Sequence, residues 1–238
     1  AYFVSFGLIL VVAALFYVAA GAVMALDWPV FVLLRRDLGS FFFSPVAYMA
    51  LFAFCFFAWV SYSLLLTQLT PPNATMTEPI ITGQFFDYIP VFVLIFVVPI
   101  LTMRLLSEEA RTGTLEVLFT APVDEGAVVL AKFLCALLTF LIVWLPFGLI
   151  LLTIPLLGGD PFDYRPLLAY SVGLTVTGAA FMSMGLFCSS LTQNQIGSGL
   201  LTFVGMLLWT VLWWVARIPE VPEWARELSK HMSYLHVW

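Results

Sequence analysis

The stretch AVVLAKFLCALLTFLIVWLPFGLILL, residues 127–152, contains a single charged residue, Lys132, among 26 positions. A helix that crosses the hydrocarbon core of a bilayer, roughly 30 Å thick, needs about 20 mostly apolar residues. This run exceeds that length without a second charge. It therefore predicts a membrane-spanning helix.

The rest of the chain has the same character. Of 238 residues, 63% are hydrophobic and only 10% are charged, whereas a soluble domain carries roughly a quarter charged residues. Short polar breaks separate further apolar runs, which predict spans at residues 1–26, 46–69, 85–106, 167–191 and 196–215. With residues 127–152 these make about six spans. The sequence predicts an all-α, polytopic transmembrane helical bundle that forms one domain over residues 1–238.

Two segments have an apolar side and a polar side. In residues 29–44 the apolar side chains recur at helical spacing, and the opposite side carries three charged residues, Arg35, Arg36 and Asp37. This pattern predicts an amphipathic helix at the membrane interface. Residues 217–238 repeat the pattern with Trp224 and Leu228 among the apolar positions. They predict a tail that lies along the extracytoplasmic surface.

The most polar stretch in the middle of the chain, residues 107–125, lies between two predicted spans. Its charged residues Glu108, Glu109 and Arg111 lie close enough in the sequence to form a local ion-pair cluster. Gly113 allows a tight turn, and Thr114 can cap a short helix that runs through Thr120. This segment can be an ordinary solvated loop, or a docking element that fits a partner's groove. The residues of the docking element would be Glu108, Glu109, Arg111, Gly113, Thr114, Glu116, Leu118 and Pro122.

Four stretches, in order along the chain, resemble the ABC-2 type permease family, in particular its gliding-motility and copper-associated branch. They are LRRDLGSFFFSPVAY (34–48), PILTMRLL (99–106), RLLSEEARTGTLEVLFTAP (104–122) and GLFCSSLTQNQ (185–195). The resemblance covers roughly residues 29–236. It implies the membrane-spanning permease subunit of an ABC exporter in the plasma membrane, the inner membrane in bacteria.

The resemblance also implies partners. A cytosolic ABC ATPase subunit would grip residues 108–122 and would bind ATP and Mg²⁺, so that the permease binds no cofactor directly. A second permease copy, or a homologous permease, would complete the substrate pathway, and an accessory periplasmic or membrane subunit is a further expected partner. The basic residues divide five to four between the two sides of the membrane, which only weakly favours a cytoplasmic location for residues 107–125.

The order of the spans departs from the family pattern. Residues 1–26 add a span before the interfacial helix, and the family's last span, which would follow residues 224–238, is absent. Two explanations are open. The chain is a segment of a longer protein, or residues 1–26 take the place of the missing helix in the bundle.

The sixth span has a polar face that could line a substrate path. Its residues fall three or four apart, which places them on one side of a helix: Ser198, Thr202, Gly205 and Trp209. Close packing between helices through small residues explains the same pattern. Both interpretations stay open from the sequence.

Enzymatic functions have little support in the sequence. The chain lacks the GxxxxGK[ST] phosphate-binding loop, so ATP hydrolysis is expected on a partner and no catalytic residue is assigned. An intramembrane protease around Ser198 would need a base, and both histidines lie in the tail. Cys55, Cys135 and Cys188 sit in apolar runs as small hydrophobic residues rather than as metal ligands. The net charge of −5 gives no indication of a nucleic-acid partner.

A second function class remains beside transport. A non-transporting membrane scaffold subunit of an ABC-like complex would keep the fold and the partner segment but would not move a substrate. The chemical class of the substrate does not follow from the composition, because abundant Phe, Leu and Trp suit a lipid-facing bundle of any kind.

Overall fold

The computed structural model describes residues 28–69, 88–114, 124–156 and 165–215, together with the isolated helical positions 14, 17, 18 and 21. This part of the chain is all-α and contains no strand. Seven helices have defined bounds in it: α1 Pro29–Phe42, α2 Pro45–Leu69, α3 Tyr88–Thr102, α4 Ser107–Thr112, α5 Glu125–Leu156, α6 Arg165–Ser190 and α7 Gln195–Val215.

Proline positions set the start of the first two helices. Trp28 is extended, with φ −69° and ψ 138°, and Pro29 begins α1, where its missing N–H would have no partner within the helix anyway. Pro45 begins α2 after a turn at Phe43 and Ser44. The chain therefore changes direction between the amphipathic helix α1 and the apolar helix α2.

Three of the described helices are long and apolar enough to cross a membrane, with apolar windows at residues 47–64, 125–146 and 171–190. α7 carries a shorter apolar run, Gln195–Val211. The predicted tail 217–238 and all but four positions of the predicted span 1–26 lie outside the described residues. The count of six spans therefore stays a prediction.

The core lies where α2, α3, α5, α6 and α7 meet. Phe54, Phe140 and Phe181 are fully buried there, and the rings of Phe54 and Trp144 meet edge to face with centroids 5.2 Å apart. Many apolar side chains on the outside are exposed instead, among them Leu200 on α7. An apolar exterior around an apolar core suits a bilayer rather than water.

α1 packs along α5 as well as against α2. Its apolar side inserts Val30 and Leu34, which are both buried. Arg36 and Asp37, on the adjoining turn, are thereby brought to the first turns of α5.

Candidate coupling site

α4 is a single short helix between the end of α3 and the start of α5. Residues 103–106 form a turn after α3, and Gly113 ends α4 in the left-handed conformation with φ 70°. This conformation strains residues that have a Cβ atom, so glycine suits the position. The predicted tight turn at Gly113 is confirmed.

The residues that follow α4 are described only in part. Thr114 has helical backbone, and its Oγ1 lies 2.9 Å from Oγ1 of Thr112 and 3.4 Å from the carbonyl oxygen of Glu109. Its hydroxyl group thus turns back onto α4. Glu116, Leu118 and Pro122 lie outside the described residues, and the short helix predicted through Thr120 stays a prediction.

Four charged side chains from three helices meet beside α4. Glu109 of α4 contacts Nη2 of Arg36 at 3.1 Å and Nζ of Lys132 at 2.8 Å. Asp37 contacts the same Nζ at 3.4 Å and Nη2 of Arg36 at 2.8 Å. We call Arg36, Asp37, Glu109 and Lys132 the four-charge cluster. It joins α1, α4 and α5 and has two positive and two negative members.

Burial is unequal within the four-charge cluster. The side chain of Lys132 is 4% exposed, those of Asp37 and Glu109 are 13% and 20% exposed, and that of Arg36 is 51% exposed. A buried ammonium group is unfavourable unless carboxylates compensate its charge. Nζ of Lys132 lies 2.8 Å from Oε2 of Glu109, which is the distance of an ion pair, but the contact does not have the angles of a hydrogen bond. Lys132 is therefore the member whose charge depends most on the others.

Glu108 belongs to a separate ion pair. Its carboxylate accepts two hydrogen bonds from Arg104, at 3.0 and 3.2 Å, and Arg104 also donates to Oγ of Ser44 at 3.1 Å. Arg111 is exposed and takes no part in either group. The predicted local cluster of Glu108, Glu109 and Arg111 is wrong in its partners, because each glutamate faces a cation on a neighbouring segment.

The start of α4 is held from another side by α6. Oγ of Ser189 accepts hydrogen bonds from the backbone N–H groups of Leu106 and Ser107, both at 3.1 Å. The first N–H groups of a helix have no partner within the helix, so an outside acceptor is needed where they are buried. The hydroxyl of Ser107 in turn donates to the carbonyl oxygen of Met103. α4 therefore contacts α6 through its start and α1 and α5 through Glu109.

Arg35, the other charged residue predicted on the polar side of α1, contacts the backbone of its own helix. Its Nε donates to the carbonyl oxygen of Phe31, one turn earlier on α1, at 3.5 Å. Of the three charged residues predicted on the polar side of α1, the structure brings Arg36 and Asp37 to α4.

The polar face predicted on the sixth span lies inside the bundle, along α7. Ser198 and Thr202 are fully buried, a Cβ atom on Gly205 would lie 3.3 Å from Cε of Met184, and the ring of Trp209 meets Phe181 edge to face at 6.2 Å. These contacts favour close helix packing within one chain. The role of the face in a substrate path stays a prediction.

Three residues at the site were not among those predicted. Lys132 is a lone charge in the long apolar stretch, a signal of an ion-pair partner that the sequence did offer. Arg104 and Ser189 gave no such signal, because their partners depend on which helices pack together. Among the described residues, no group of three or more His, Cys, Asp or Glu side chains is arranged to hold a metal ion.

A comparison of the sequence with known protein families supports the interpretation of these helices and of α4. The family model described as ABC-2 family transporter protein matches residues 66–230, more than half of the chain. The chain belongs to the ABC-2 transporter family. It is an ABC transporter permease, a transmembrane protein that takes part in transport. No curated protein and no solved structure gives a significant match.

The matched range includes α3 to α7 of this permease and begins near the end of α2. Glu109 and Lys132 lie inside the match, whereas Arg36 and Asp37 on α1 precede it. The four-charge cluster therefore joins the matched part of the permease to a helix outside it.

Proposed function

We propose that this permease is the membrane-spanning subunit of an exporter of the gliding-motility and copper-associated branch, and that a separate cytosolic ATPase drives it through residues 107–125. The observation that carries the proposal is the anchoring of α4. Ion pairs and hydrogen bonds connect this short helix to α1, α5 and α6 at one end of the bundle.

An element that transmits motion needs an anchored side and an accessible side. The anchored side of α4 is Glu109 and the backbone of Ser107, whereas Arg111, Thr112 and Gly113 are exposed. A partner that binds the exposed tip can therefore move the helices to which the other side is attached. It shifts the permease between two states only if it contacts the tip differently in each.

Family membership supports the assignment of ATP hydrolysis to a subunit other than the permease. ABC-2 permeases are generally non-catalytic membrane components, so ATP and Mg²⁺ would be bound by the ATPase. Two permeases, identical or homologous, would enclose the pathway in the bacterial inner membrane. An accessory periplasmic or membrane subunit is compatible with this arrangement.

The test is a mild-detergent purification of the tagged chain from its native membrane, with mass spectrometry and an ATPase assay on the eluate. We expect a stoichiometric subunit with a phosphate-binding loop. Replacement of both Glu109 and Arg111 by alanine should leave the permease in the membrane and uncouple ATP hydrolysis from transport, because the first change releases the anchor and the second alters the tip.

A matched control is Thr175→Ala on α6, whose hydroxyl donates to the carbonyl oxygen of Ser171 on the same helix. It should retain both the ATPase and its coupling. Unchanged transport in the Glu109 and Arg111 double variant would contradict the proposed role of residues 107–125. An intact oligomer without any ATPase, or with an ATPase that never turns over, would favour the scaffold function instead.

A further inference from the structure

The cation at position 132 has an unusual place in this permease. It is the only charged residue in the apolar stretch 127–152, and its side chain is almost entirely buried. Charged side chains at such depth are unfavourable unless they are paired. Its two carboxylate partners both come from other elements, Asp37 from α1 and Glu109 from α4.

We propose that Lys132 is a positioning residue that fixes α4 against α1 and α5, so that the three elements move as one body when an ATPase binds α4. The proposal rests on the proposed function for its consequence, but its geometric content concerns the permease alone. The proposed role of Lys132 involves no contact with a substrate or a nucleotide. It acts through Glu109 and Asp37.

Charge balance is the first reason. The four-charge cluster sums to zero, and Lys132 supplies the only buried positive charge, since Arg36 is half-exposed. Without Lys132, Asp37 and Glu109 would share one solvent-screened guanidinium group and would repel each other. If α4 separated from α5, the buried ammonium group of Lys132 would lose the compensating carboxylate of Glu109.

Chain connectivity is the second reason. Asp37 and Lys132 are 95 residues apart, and Arg36 and Glu109 are 73 apart, so local backbone geometry does not hold the cluster together. Residues 113–124 separate α4 from α5 in the sequence. The ion pair between Lys132 and Glu109 joins α5 directly to α4 and thereby fixes the position of α4.

The first experiment measures the position of α4 in the purified permease in lipid nanodiscs. Cys55, which is exposed, is replaced by serine, whereas Cys135 and Cys188 are buried and shielded from labelling. Spin labels at Ser40→Cys on α1 and Thr112→Cys on α4, both exposed positions, report the distance between the two helices by pulsed electron resonance.

With Lys132 present we expect one narrow distance distribution. Lys132→Met should abolish it in favour of a broad one, and Lys132→Arg, which keeps the charge, should restore the narrow one. A narrow distribution in Lys132→Met would overturn the proposal. Broadening in Lys132→Arg as well would show that size rather than charge positions α4, and would overturn it too.

If Lys132→Met is not recovered as a folded protein, Glu109→Gln replaces it in the same measurement. This variant keeps Lys132 but removes the charge at the end of the 2.8 Å contact. A broad distribution would support the proposal, and a narrow one would refute it.

The second experiment uses the complex with its ATPase. Lys132→Met should lower the permease-dependent kcat of ATP hydrolysis without changing KM for ATP, because the nucleotide site is on the partner. A raised KM with unchanged kcat would contradict a positioning role. If the unmodified chain retains no ATPase while the spin-label results hold, the proposed function fails and the positioning of α4 by Lys132 stands.

Discussion

Replacement of Gly178 by alanine tests the close approach of α5 and α6 on which the bundle depends. A Cβ atom on Gly178 would lie 2.6 Å from Cδ1 of Phe140 and 3.1 Å from its Cζ, whereas heavy atoms in contact normally stay at about 3.5–4.0 Å. Phe140 is fully buried and packs near the ring of Trp144. A methyl group on Gly178 therefore lacks space beside this buried ring, and either the ring or the two helices must shift.

The magnitude follows from this lack of space. Extra methyl groups in a well-packed core destabilise by about 1–3 kcal/mol. For a protein of this length each kcal/mol shifts Tm by roughly 2–4 °C. We therefore expect Gly178→Ala to lower Tm by roughly 2–12 °C.

The chain provides its own reporter for this assay. In a Cys55→Ser background the remaining thiols, Cys135 on α5 and Cys188 on α6, are both buried. A thiol-reactive fluorescent dye then reports unfolding of detergent-solubilised protein during a temperature ramp. Because the two thiols lie on the two helices concerned, their exposure follows the separation of α5 from α6.

Gly39→Ala on α1 is the matched control. Nothing lies within 4 Å of a Cβ atom built on Gly39, and alanine is more favourable than glycine inside a helix by roughly 0.5–1 kcal/mol. This variant should unfold at the same temperature as the parent or slightly above it. A Gly178→Ala protein that matched the parent would refute the close contact of α5 and α6.

Two further predictions concern α4, and hydrogen exchange of residues 107–112 measures both. Ser189→Ala removes the acceptor of two N–H groups and should destabilise the start of α4 by about 1–3 kcal/mol, whereas the neighbouring Ser190→Ala, which loses only an exposed bond to Phe187, should leave exchange unchanged. Gly113→Ala places a Cβ atom in the left-handed conformation, which costs about 1–2 kcal/mol, so exchange should quicken roughly 5–30-fold. Unchanged exchange would show that alanine is tolerated at this turn without strain.

The helical fold could be predicted because its signal is local. Long apolar runs such as 127–152 mark helices whichever neighbours they pack against, since the bilayer requires every backbone polar group to be paired within the helix. The turn at Gly113 was likewise predictable, because its backbone conformation favours the one residue without a side chain. The family resemblance rested on motifs in the same stretches.

The partners of the charges could not be predicted in the same way. Their nearness in the sequence predicted a local cluster of Glu108, Glu109 and Arg111, but Glu109 faces the bundle and Arg111 is exposed. The pairing of Glu109 with Lys132 and Arg36 exists only after α1 has packed along α5. Polar spacing on α7 likewise did not show that Ser198 lies in the interior of the bundle.

The sequence by itself determined that this protein is a membrane-embedded helical bundle with a polar segment between two helices, because hydropathy and turn chemistry act over a few residues. The tertiary structure alone decided what that segment is attached to. The ion pairs join residues that lie 73 or 95 positions apart in the sequence, so they form only when the helices pack. Buried charges are favourable only where the packed helices bring opposite charges together.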